Sequence, residues 1–201
     1  MRLTLVRHGE TESNVRGSLD TTAPGPGLTE RGQQQAEALV QRFADQDFDA
    51  IYASNLTRTQ LTAAPVAAAK NLPVHIRQGL REFDIGHFEN RSDPAAIGVF
   101  VDVMKQWMLG EFDASLPGGE TGWQILRRMD ETISGIAGTG DQSVLVFSHG
   151  GVLRVWAAAR SDNISPDFAV ANYVVNTGVI VLEGHPGAWH CQSWDLAPRR
   201  A

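Results

Sequence analysis

Two short apolar segments, at residues 2–6 and 143–147, constrain the fold of this chain more than any other feature. Ser143–Phe147 has no polar residue after its first position, which is typical of a strand that is covered on both faces. Segments with the apolar spacing of amphipathic helices alternate with these and other short strands. Because that alternation is typical of α/β proteins, we predict a three-layer α/β/α sandwich with a mostly parallel central sheet.

The spacing of apolar residues along the chain predicts the positions of the strands and helices. Strands are predicted at 2–6, 48–53, 73–76, 143–147, 176–182 and 189–194, and helices from residue 29 and over 57–70, 95–109, 119–136 and 152–160. Thr29 is the expected cap of the first helix, and Asn55 or Thr57 that of the second, which Pro65 is expected to kink. Residues 11–27 are expected to form a loop. Because no linker or repeat interrupts the chain, we interpret 1–201 as a single domain.

Composition argues against several classes of protein. The chain carries 17 basic and 23 acidic residues, a formal net charge of −6, whereas nucleic-acid-binding proteins usually carry a basic excess. Cys191 is the single cysteine, which excludes an internal disulfide framework and a cysteine-rich zinc module. No apolar run approaches the ~18 residues of a membrane span, and Arg7 interrupts the first run too early for a secretory signal. We therefore expect a cytoplasmic protein with neither nucleic acid nor membrane as a partner.

Charged and polar residues gather where the two apolar strands end. Arg7 and His8 follow the first strand and precede Gly9, and His149 follows the second strand and precedes Gly150. Ligands of α/β sheets bind beyond the carboxyl ends of the strands, where glycine allows the backbone to approach closely. A guanidinium beside an imidazole at such a place can clamp a phosphate next to a nucleophile.

Two further segments carry complementary chemistry. Arg58 lies at the junction of a strand and a helix, where free backbone amides favour the binding of anions. A basic residue at this end of a helix interacts slightly unfavourably with the helix dipole. Glu82 and Asp84 are candidates for donating a proton to a leaving oxygen. Two arginines, two histidines and a carboxylate together form a set that is suited to phosphoryl transfer.

The chain resembles the histidine phosphatase (phosphoglycerate mutase-like) superfamily over nearly its whole length. Six motifs carry the resemblance in the order expected for the family: Leu5-Val6-Arg7-His8-Gly9-Glu10-Thr11 with Asn14, Leu28-Thr29-Glu30-Arg31-Gly32-Gln33-Gln34-Gln35-Ala36, Ala53-Ser54-Asn55-Leu56-Thr57-Arg58-Thr59-Gln60, Leu80-Arg81-Glu82 with Gly86, Pro117-Gly118-Gly119-Glu120-Thr121, and Val146-Phe147-Ser148-His149-Gly150-Gly151. Agreement at all of these places is highly specific.

The resemblance implies catalytic roles for five residues. His8 would attack phosphorus through its unprotonated nitrogen and carry a phosphohistidine. Arg7, Arg58 and His149 would bind the phosphoryl oxygens and stabilise the charge that spreads over them in the transition state. Glu82 would protonate the leaving alcohol and then help to deprotonate the water that cleaves the phosphohistidine.

The same resemblance implies supporting contacts. Asn14 and the Gly150 amide would add hydrogen bonds to the phosphoryl group, and Glu10 would orient an arginine or a histidine. No metal and no other cofactor is expected, and a homodimer is compatible with the family. The implied partner is a small-molecule phosphate ester.

Other classes of phosphate-processing enzyme fit the sequence poorly. A cysteine phosphatase needs a cysteine six residues before an arginine, but Ala197 stands at that spacing after Cys191. The chain has no Gly-Lys-Ser/Thr phosphate loop and no Gly-x-Ser-x-Gly elbow. His185 and His190 lack the spacing of a zinc-binding helix, so they are interpreted as surface residues.

Within the family, the choice lies between a phosphatase and a phosphoglycerate mutase. The mutases are usually longer and carry Glu-Arg-His-Tyr-Gly at the acid motif, where this chain has Glu82-Phe83-Asp84-Ile85-Gly86. That departure and the short insert before Gly118 favour a phosphatase. A non-catalytic protein that binds phosphorylated ligands is a remote alternative, because such proteins usually lose the nucleophile or the acid, and both His8 and Glu82 are present.

Residues 83–118 are interpreted as a cap or insert over the site. Its large apolar side chains, which suit either core packing or a pocket for an apolar leaving group, are Phe83, Phe88, Phe100, Met104, Trp107, Met108 and Phe112. Arg91 or Lys105 could reach a second anionic group, and Gly119-Glu120-Thr121 could help to fix the phosphate. The sequence leaves the particular phosphate ester open.

Overall fold

One six-stranded sheet with helices on both faces forms the core of the computed structural model, which describes residues 1–196. The strands are β1 (Arg2–Arg7), β2 (Ala50–Ala53), β3 (Val74–Ile76), β4 (Ser143–Ser148), β5 (Val179–His185) and β6 (Ala188–Trp194). Their order is β3-β2-β4-β1-β5-β6, with β3, β2, β4 and β1 parallel, β5 antiparallel to β1, and β6 antiparallel to β5. The predicted α/β/α sandwich with a mostly parallel sheet is confirmed.

Helices connect most of the strands. They are α1 (Glu12–Arg16), α2 (Glu30–Arg42), α3 (Thr57–Lys70), α4 (Pro94–Met108), α5 (Gly122–Ala137), α6 (Gly150–Arg160) and α7 (Pro166–Ala171). Thr29 caps α2 as predicted, since its side chain accepts a hydrogen bond from the Gly32 amide. The helices α2 to α6 are confirmed to within three residues at their starts. No helix among residues 1–196 combines the length and the apolar character that crossing a lipid bilayer requires.

Two short helices fall in segments for which no helix was predicted. The expected loop over 11–27 contains α1, whose five residues are too few to show a periodic pattern, and a reciprocal pair of hydrogen bonds between Thr11 and Asn14 holds its first turn. The six-residue α7 begins at Pro166 after the cap Ser165.

Two predicted boundaries are also wrong. The N-cap of α3 is Leu56, neither Asn55 nor Thr57, and its backbone amide donates to the Ser54 hydroxyl. The helix continues through Pro65 to its end at Lys70. The β5 strand starts at Val179 and not at 176, because Thr177 adopts a left-handed conformation with φ 56°.

The two faces of the sheet pack against separate apolar clusters. Leu3 and Leu5 of β1 face a cluster that contains Trp156 of α6, whereas Val6 faces one that contains Phe43 beside α2. Because β1 is buried on both faces, its position and that of neighbouring β4 are firmly set. Arg7 is paired with Ser148 in the parallel register of the two strands.

Candidate active site

The carboxyl ends of β1 and β4 bring two histidines together. His8 and His149 each follow the last paired residue of their strand, so the parallel register makes them neighbours. Their ring centroids are 5.3 Å apart in an edge-to-face arrangement. His8 is 4% exposed and His149 is fully buried. The sheet therefore holds both imidazoles side by side and largely buried.

A cavity of about 240 Å³ opens beside His8. Its lining residues are Arg7, His8, Thr11, Ser13, Asn14, Ser18, Leu19, Asp20, Thr21, Arg58, Glu82, Phe100, Met104, Gly150, Gly151, Arg154, Tyr173 and Val174. The set includes every residue to which the family resemblance assigns catalysis or phosphate binding except His149, which contacts His8 but does not line the wall. Segments far apart in sequence thus converge on one small cavity.

The backbone fixes which nitrogen of His8 is free. Nδ1 of His8 lies 2.7 Å from the carbonyl oxygen of Gly9, and because a carbonyl can only accept, Nδ1 carries the proton. Burial lowers the pKa of His8 well below its ordinary value of 6.5, and the charges of Arg58 and Arg7 lower it further. His8 is therefore a neutral imidazole with its lone pair on Nε2.

His149 is oriented by Ser54, whose role the sequence did not reveal. The Ser54 hydroxyl accepts from the Leu56 amide and lies 2.9 Å from Nε2 of His149, so its own proton is available for that nitrogen. In that tautomer the proton of His149 is on Nδ1, a buried atom without a hydrogen-bond partner among the described residues. Burial, together with the charge of Arg58, lowers the pKa of His149 well below its ordinary value. A neutral donor is thereby held next to the nucleophile.

Two guanidinium groups are anchored by backbone carbonyls. Nη1 of Arg7 donates to the Val174 carbonyl at 2.8 Å, and Nη2 of Arg58 donates to the Asp20 carbonyl at 2.9 Å. The Asp20 carboxylate lies 3.4 Å from Nη1 of Arg58, whose side chain is 3% exposed. The Nε atoms of both arginines are buried without partners in the described part of the chain. These unused donors are what a bound oxyanion would satisfy.

Glu82 lies at the N-terminus of α6. Its carboxylate accepts hydrogen bonds from the amides of Gly151 at 3.0 Å and Val152 at 2.8 Å, and from the Phe83 amide at 3.2 Å. Burial raises the pKa of Glu82 above its ordinary value of 4.5, although these amides and the Arg58 charge act in the opposite direction. Of the first three amides of α6, only that of Gly150 makes no hydrogen bond within residues 1–196.

Asp84, the other candidate proton donor, lies outside the cavity. Its side chain is exposed and accepts from the Gly86 amide at 2.8 Å. Among the two carboxyl groups of the acid motif, only Glu82 can therefore reach a substrate in this cavity.

Asn14 lines the cavity with its amide nitrogen available. Its Oδ1 accepts from the Thr11 amide at 3.1 Å and from Nδ2 of Asn176 at 3.0 Å. Nδ2 of Asn176 also donates to the carbonyl oxygen of His8 at 3.1 Å. Asn176, which the sequence did not single out, thus fixes both the amide orientation of Asn14 and the backbone at His8.

The expectation that Glu10 orients a histidine or arginine of the site is wrong. Its carboxylate accepts from the Thr29 hydroxyl at 3.0 Å and lies 3.6 Å from exposed Arg31. It therefore secures the start of α2. The side chain fails to reach the cavity because the backbone at Gly9 packs tightly against Gly32 and directs the chain toward α2.

Glu120 has a structural role, so the expected help of Gly119-Glu120-Thr121 in fixing phosphate is also wrong. Its carboxylate forms ion pairs with Arg81 at 2.7 Å and with Arg128 at 2.9 Å, outside the cavity. Burial would raise its pKa, but the hydrogen bonds from Arg81 and Arg128 outweigh burial and hold the pKa of Glu120 at about 2. The same two arginines also donate hydrogen bonds to the backbone beside the acid: Arg81 to the carbonyl of Glu82, and Arg128 to the carbonyl of Arg81.

The apolar residues of 83–118 divide between the core and the cavity. Phe83 and Trp107 are buried in the core, whereas Phe100 and Met104 of α4 line the cavity wall. Of the two cations expected to reach a second anion, Arg91 pairs with Asp93 outside the cavity. Lys105 lines a smaller adjoining cavity. The segment therefore contributes side chains to both the core and the cavity wall, and Met104 belongs to both.

Residues with metal-ligating side chains are dispersed in the described part of the chain. Within residues 1–196 there is no group of three or more histidine, cysteine, aspartate or glutamate side chains that could hold a metal ion. Cys191 is a free thiol outside the cavity lining, and its backbone amide donates a hydrogen bond to Oδ1 of Asn163.

Comparisons with known proteins agree with the phosphate-binding geometry of the cavity. The family model described as "Histidine phosphatase superfamily (branch 1)" matches residues 3–197. The PE-PGRS family protein PE_PGRS11 of Mycobacterium tuberculosis is 33% identical over 96% of this chain, and the matched part is 36% of that longer protein. The adenosylcobalamin/alpha-ribazole phosphatase of Salmonella typhimurium is 36% identical over 79% of this chain and 78% of its own length. The solved structure of the alpha-ribazole phosphatase from Shigella flexneri covers 96% of each chain with a TM-score of 0.77 at 28% identity.

Proposed function

The chain belongs to the histidine phosphatase superfamily, branch 1, and from that premise we propose that it hydrolyses small phosphate monoesters through a phosphohistidine on His8. One observation carries the proposal: the Gly9 carbonyl holds the proton on Nδ1 of His8 and leaves Nε2 free as a nucleophile. The cavity beside that atom offers two arginines for the phosphate and a carboxyl group of raised pKa.

The first half of the reaction forms the phosphoenzyme. Nε2 of His8 attacks phosphorus, the bond from phosphorus to the ester oxygen breaks, and the proton of Glu82 goes to the leaving alcohol. Nε atoms of Arg7 and Arg58 and Nδ1 of His149 supply donors to the three phosphoryl oxygens as their charge spreads. The Asn14 amide and the Gly150 backbone amide add two more.

The second half regenerates the enzyme. Glu82, now a carboxylate, takes a proton from water, whose oxygen attacks phosphorus while the bond to Nε2 breaks. Inorganic phosphate leaves, and both His8 and Glu82 return to their starting protonation states. The amides of Gly151 and Val152 stabilise the carboxylate between the two steps.

Chemical trapping of the intermediate tests this proposal. Brief incubation with a phosphate-labelled ester, followed by alkaline quenching, is expected to give acid-labile, base-stable label on the peptide that contains His8. His8→Ala should abolish turnover and labelling while the circular dichroism spectrum stays unchanged. His75→Ala is the matched control, because His75 is exposed on β3 and far from the cavity lining. Rapid turnover without label on His8 would overturn the nucleophile assignment.

A transfer assay separates the phosphatase from the phosphoglycerate mutase alternative. The phosphatase proposal is supported by Phe83, which follows Glu82 and is fully buried in the core, where the mutase motif has an arginine. With phosphoglycerate and bisphosphoglycerate as substrates, release of inorganic phosphate is expected to exceed isomerisation. Faster isomerisation than release would establish the mutase. A non-catalytic binder would bind phosphate and release none from any ester.

The type of enzyme is part of the same proposal: a metal-independent hydrolase of the histidine acid phosphatase type. Arg7 and Arg58 provide the positive charge that a metal ion supplies in other phosphatases. Activity is therefore expected to survive dialysis against a chelator, and its loss with recovery on adding a divalent ion would refute this part.

Four further predictions from the sequence belong to this proposal. The single domain over 1–201, with 83–118 as its cap, is supported by Phe100 and Met104 of α4 in the cavity wall and is tested by limited proteolysis with and without phosphate. The homodimer is tested by light scattering, the cytoplasmic location by cell fractionation, and the lack of nucleic-acid and membrane partners by binding assays.

A further inference from the structure

We infer that Arg154 binds a second oxyanion of the substrate, so that the enzyme prefers phosphate esters whose alcohol part carries a carboxylate or a second phosphate. This inference rests on the proposed phosphatase function. Arg154 lies on α6 four residues after Gly150, so the two residues share a face of the helix, about 6 Å apart along its axis. Helical side chains lean toward the N-terminus, which directs Arg154 back toward the phosphate end of the cavity that it lines.

The guanidinium of Arg154 is fixed but only partly used. Its Nε donates to the Ala169 carbonyl at 2.7 Å and its Nη2 to the Val170 carbonyl at 2.6 Å. Nη1 makes no hydrogen bond to any residue within 1–196, and it is not an enclosed atom. The carbonyls at the end of α7 thus set the plane of the group and leave one face of donors for a ligand.

The charges of the cavity lining leave Arg154 without a counterion. Arg58 has the Asp20 carboxylate beside it, whereas Arg154 forms no ion pair within the described residues. Because no described residue pairs with Arg154, a second oxyanion on the alcohol part of the substrate would give this guanidinium the direct partner that it lacks.

The shape of the site has room for such a group. A second cavity of about 110 Å³ shares Phe100, Met104 and Arg154 with the first and is also lined by Lys105. The alcohol part can therefore extend from the phosphate along Phe100 and Met104 toward Arg154. The apolar walls exclude water and strengthen the interaction between the oxyanion and the guanidinium.

Matched esters test the inference. The full chain is assayed with propyl phosphate, with the same three-carbon ester ending in a carboxylate, and with the bisphosphate of the three-carbon diol. We expect kcat/KM for one of the two anionic esters to exceed that for propyl phosphate by about 10- to 100-fold, as charged hydrogen bonds typically give. The ester that is preferred identifies the oxyanion as a carboxylate or a phosphate.

Variants distinguish recognition from a structural role of Arg154 at the end of α7. In Arg154→Met the ratio of the two kcat/KM values is expected to fall to about 1, whereas a structural defect alone lowers both values and leaves the ratio unchanged. Arg154→Gln keeps a donor for the α7 carbonyls without the charge and should lose the preference equally, even if the methionine variant fails to fold. Arg160→Met is the control, because Arg160 lies on the same helix, pairs with Asp130 and lines neither cavity.

Two results would overturn the inference: no preference for either anionic ester in the unchanged chain, or a preference that persists in both Arg154 variants. Hydrolysis of propyl phosphate without a preference would leave the proposed phosphatase intact. Failure to hydrolyse any of the three esters would count against both proposals.

Discussion

Burial shifts the pKa values of His8 and Glu82, which line the same cavity, in opposite directions. It lowers the pKa of the imidazole and raises that of the carboxyl group, because removal of water disfavours the charged form of each. The neutral imidazole has a lone pair for phosphorus, and the neutral carboxyl group has a proton for the leaving oxygen. A single physical cause therefore prepares both groups for the first step of the reaction.

We expect kcat/KM for an alkyl phosphate to be highest on the acid side of neutrality. The low-pH limb reflects protonation of His8, displaced below 6.5, and the high-pH limb reflects ionisation of Glu82, displaced above 4.5. Glu82→Gln should remove the high-pH limb and lower the rate by about 10²- to 10⁴-fold. Because both proteins are assayed with the same substrate, the ionisation of the substrate affects both pH profiles equally and does not contribute to the difference between them. An alkaline optimum, or a high-pH limb that survives in the variant, would contradict the assignment.

At the scale of elements, the first turn of α6 serves three groups at once. Its amides at Gly151 and Val152 donate to Glu82, and Gly150 lines the cavity so close to Arg7 that an added Cβ would lie 3.0 Å from the Arg7 side chain. A Cβ added at Gly151 would lie 2.5 Å from Cε1 of Phe83 and 3.0 Å from Oε1 of Glu82. The absence of a side chain at Gly151 is therefore what lets the proton donor approach the helix.

Gly151→Ala is expected to lower the turnover of alkyl phosphates by about 10- to 100-fold, because fully buried Phe83 cannot yield and Glu82 must move. An aryl phosphate whose leaving group needs no proton should lose less. Gly135→Ala is the control: it is exposed on α5 with no atom within 4 Å of its added Cβ, so activity should persist and stability rise by about 0.5–1 kcal/mol. Equal losses for both kinds of ester would argue against displacement of Glu82.

The ion pairs of Glu120 connect the start of α5 to the segment that carries Glu82. Glu120→Gln is expected to destabilise the protein by about 1–3 kcal/mol at neutral pH, a range reduced for screening because Arg81 is partly exposed. The pKa of Glu120 is depressed from 4.5 to about 2, so its contribution is present above 4.5 and is lost as the pH falls toward 2.

Urea unfolding of the unchanged protein and of Glu120→Gln, at neutral pH and near pH 3, tests whether the stabilisation by Glu120 is lost on acidification. The difference between them should shrink at the lower pH. Glu131→Gln, an exposed change on α5, should have little effect at either pH. A difference that grows on acidification would show that the ion pairs do not stabilise the fold.

For the whole molecule, the buried site couples stability to pH. His8 and His149 stay neutral in the folded state below 6.5, where unfolded histidines bind protons, so the free energy of unfolding should fall as the pH drops below about 6.5. Glu82 opposes them, because its raised pKa lets the folded state keep a proton that the unfolded state releases above 4.5.

With two groups against one, we expect a net loss of stability as the pH falls from 6 to 5. Denaturant titrations at these two values measure it. Glu82→Gln removes the opposing group and should make the loss steeper. A loss that becomes shallower in this variant would contradict the linkage.

Most of the fold and the centre of the site could be predicted from sequence, because both depend on where apolar strands end. Arg7, His8 and His149 follow directly from that rule, whereas Ser54, Asn176 and Arg154 do not. These three act through contacts with segments distant in sequence, such as the bond from Ser54 to His149. Short helices α1 and α7 were missed because one turn and a half carries no periodic signal. The predicted role of Glu10 in the site was wrong because a residue that is close to His8 in sequence need not be close to it in the cavity.

The pairing of β1 has a consequence for the order in which the protein is made. The strand that carries Arg7 leaves the ribosome before its partners β4 and β5, which begin at Ser143 and Val179. A growing chain therefore holds this strand unpaired while residues 8–142 are translated, and an unpaired apolar strand promotes aggregation. The catalytic centre can form only after β4 has been made, so chaperone dependence during translation and slow refolding are expected consequences of joining segments that are distant in sequence.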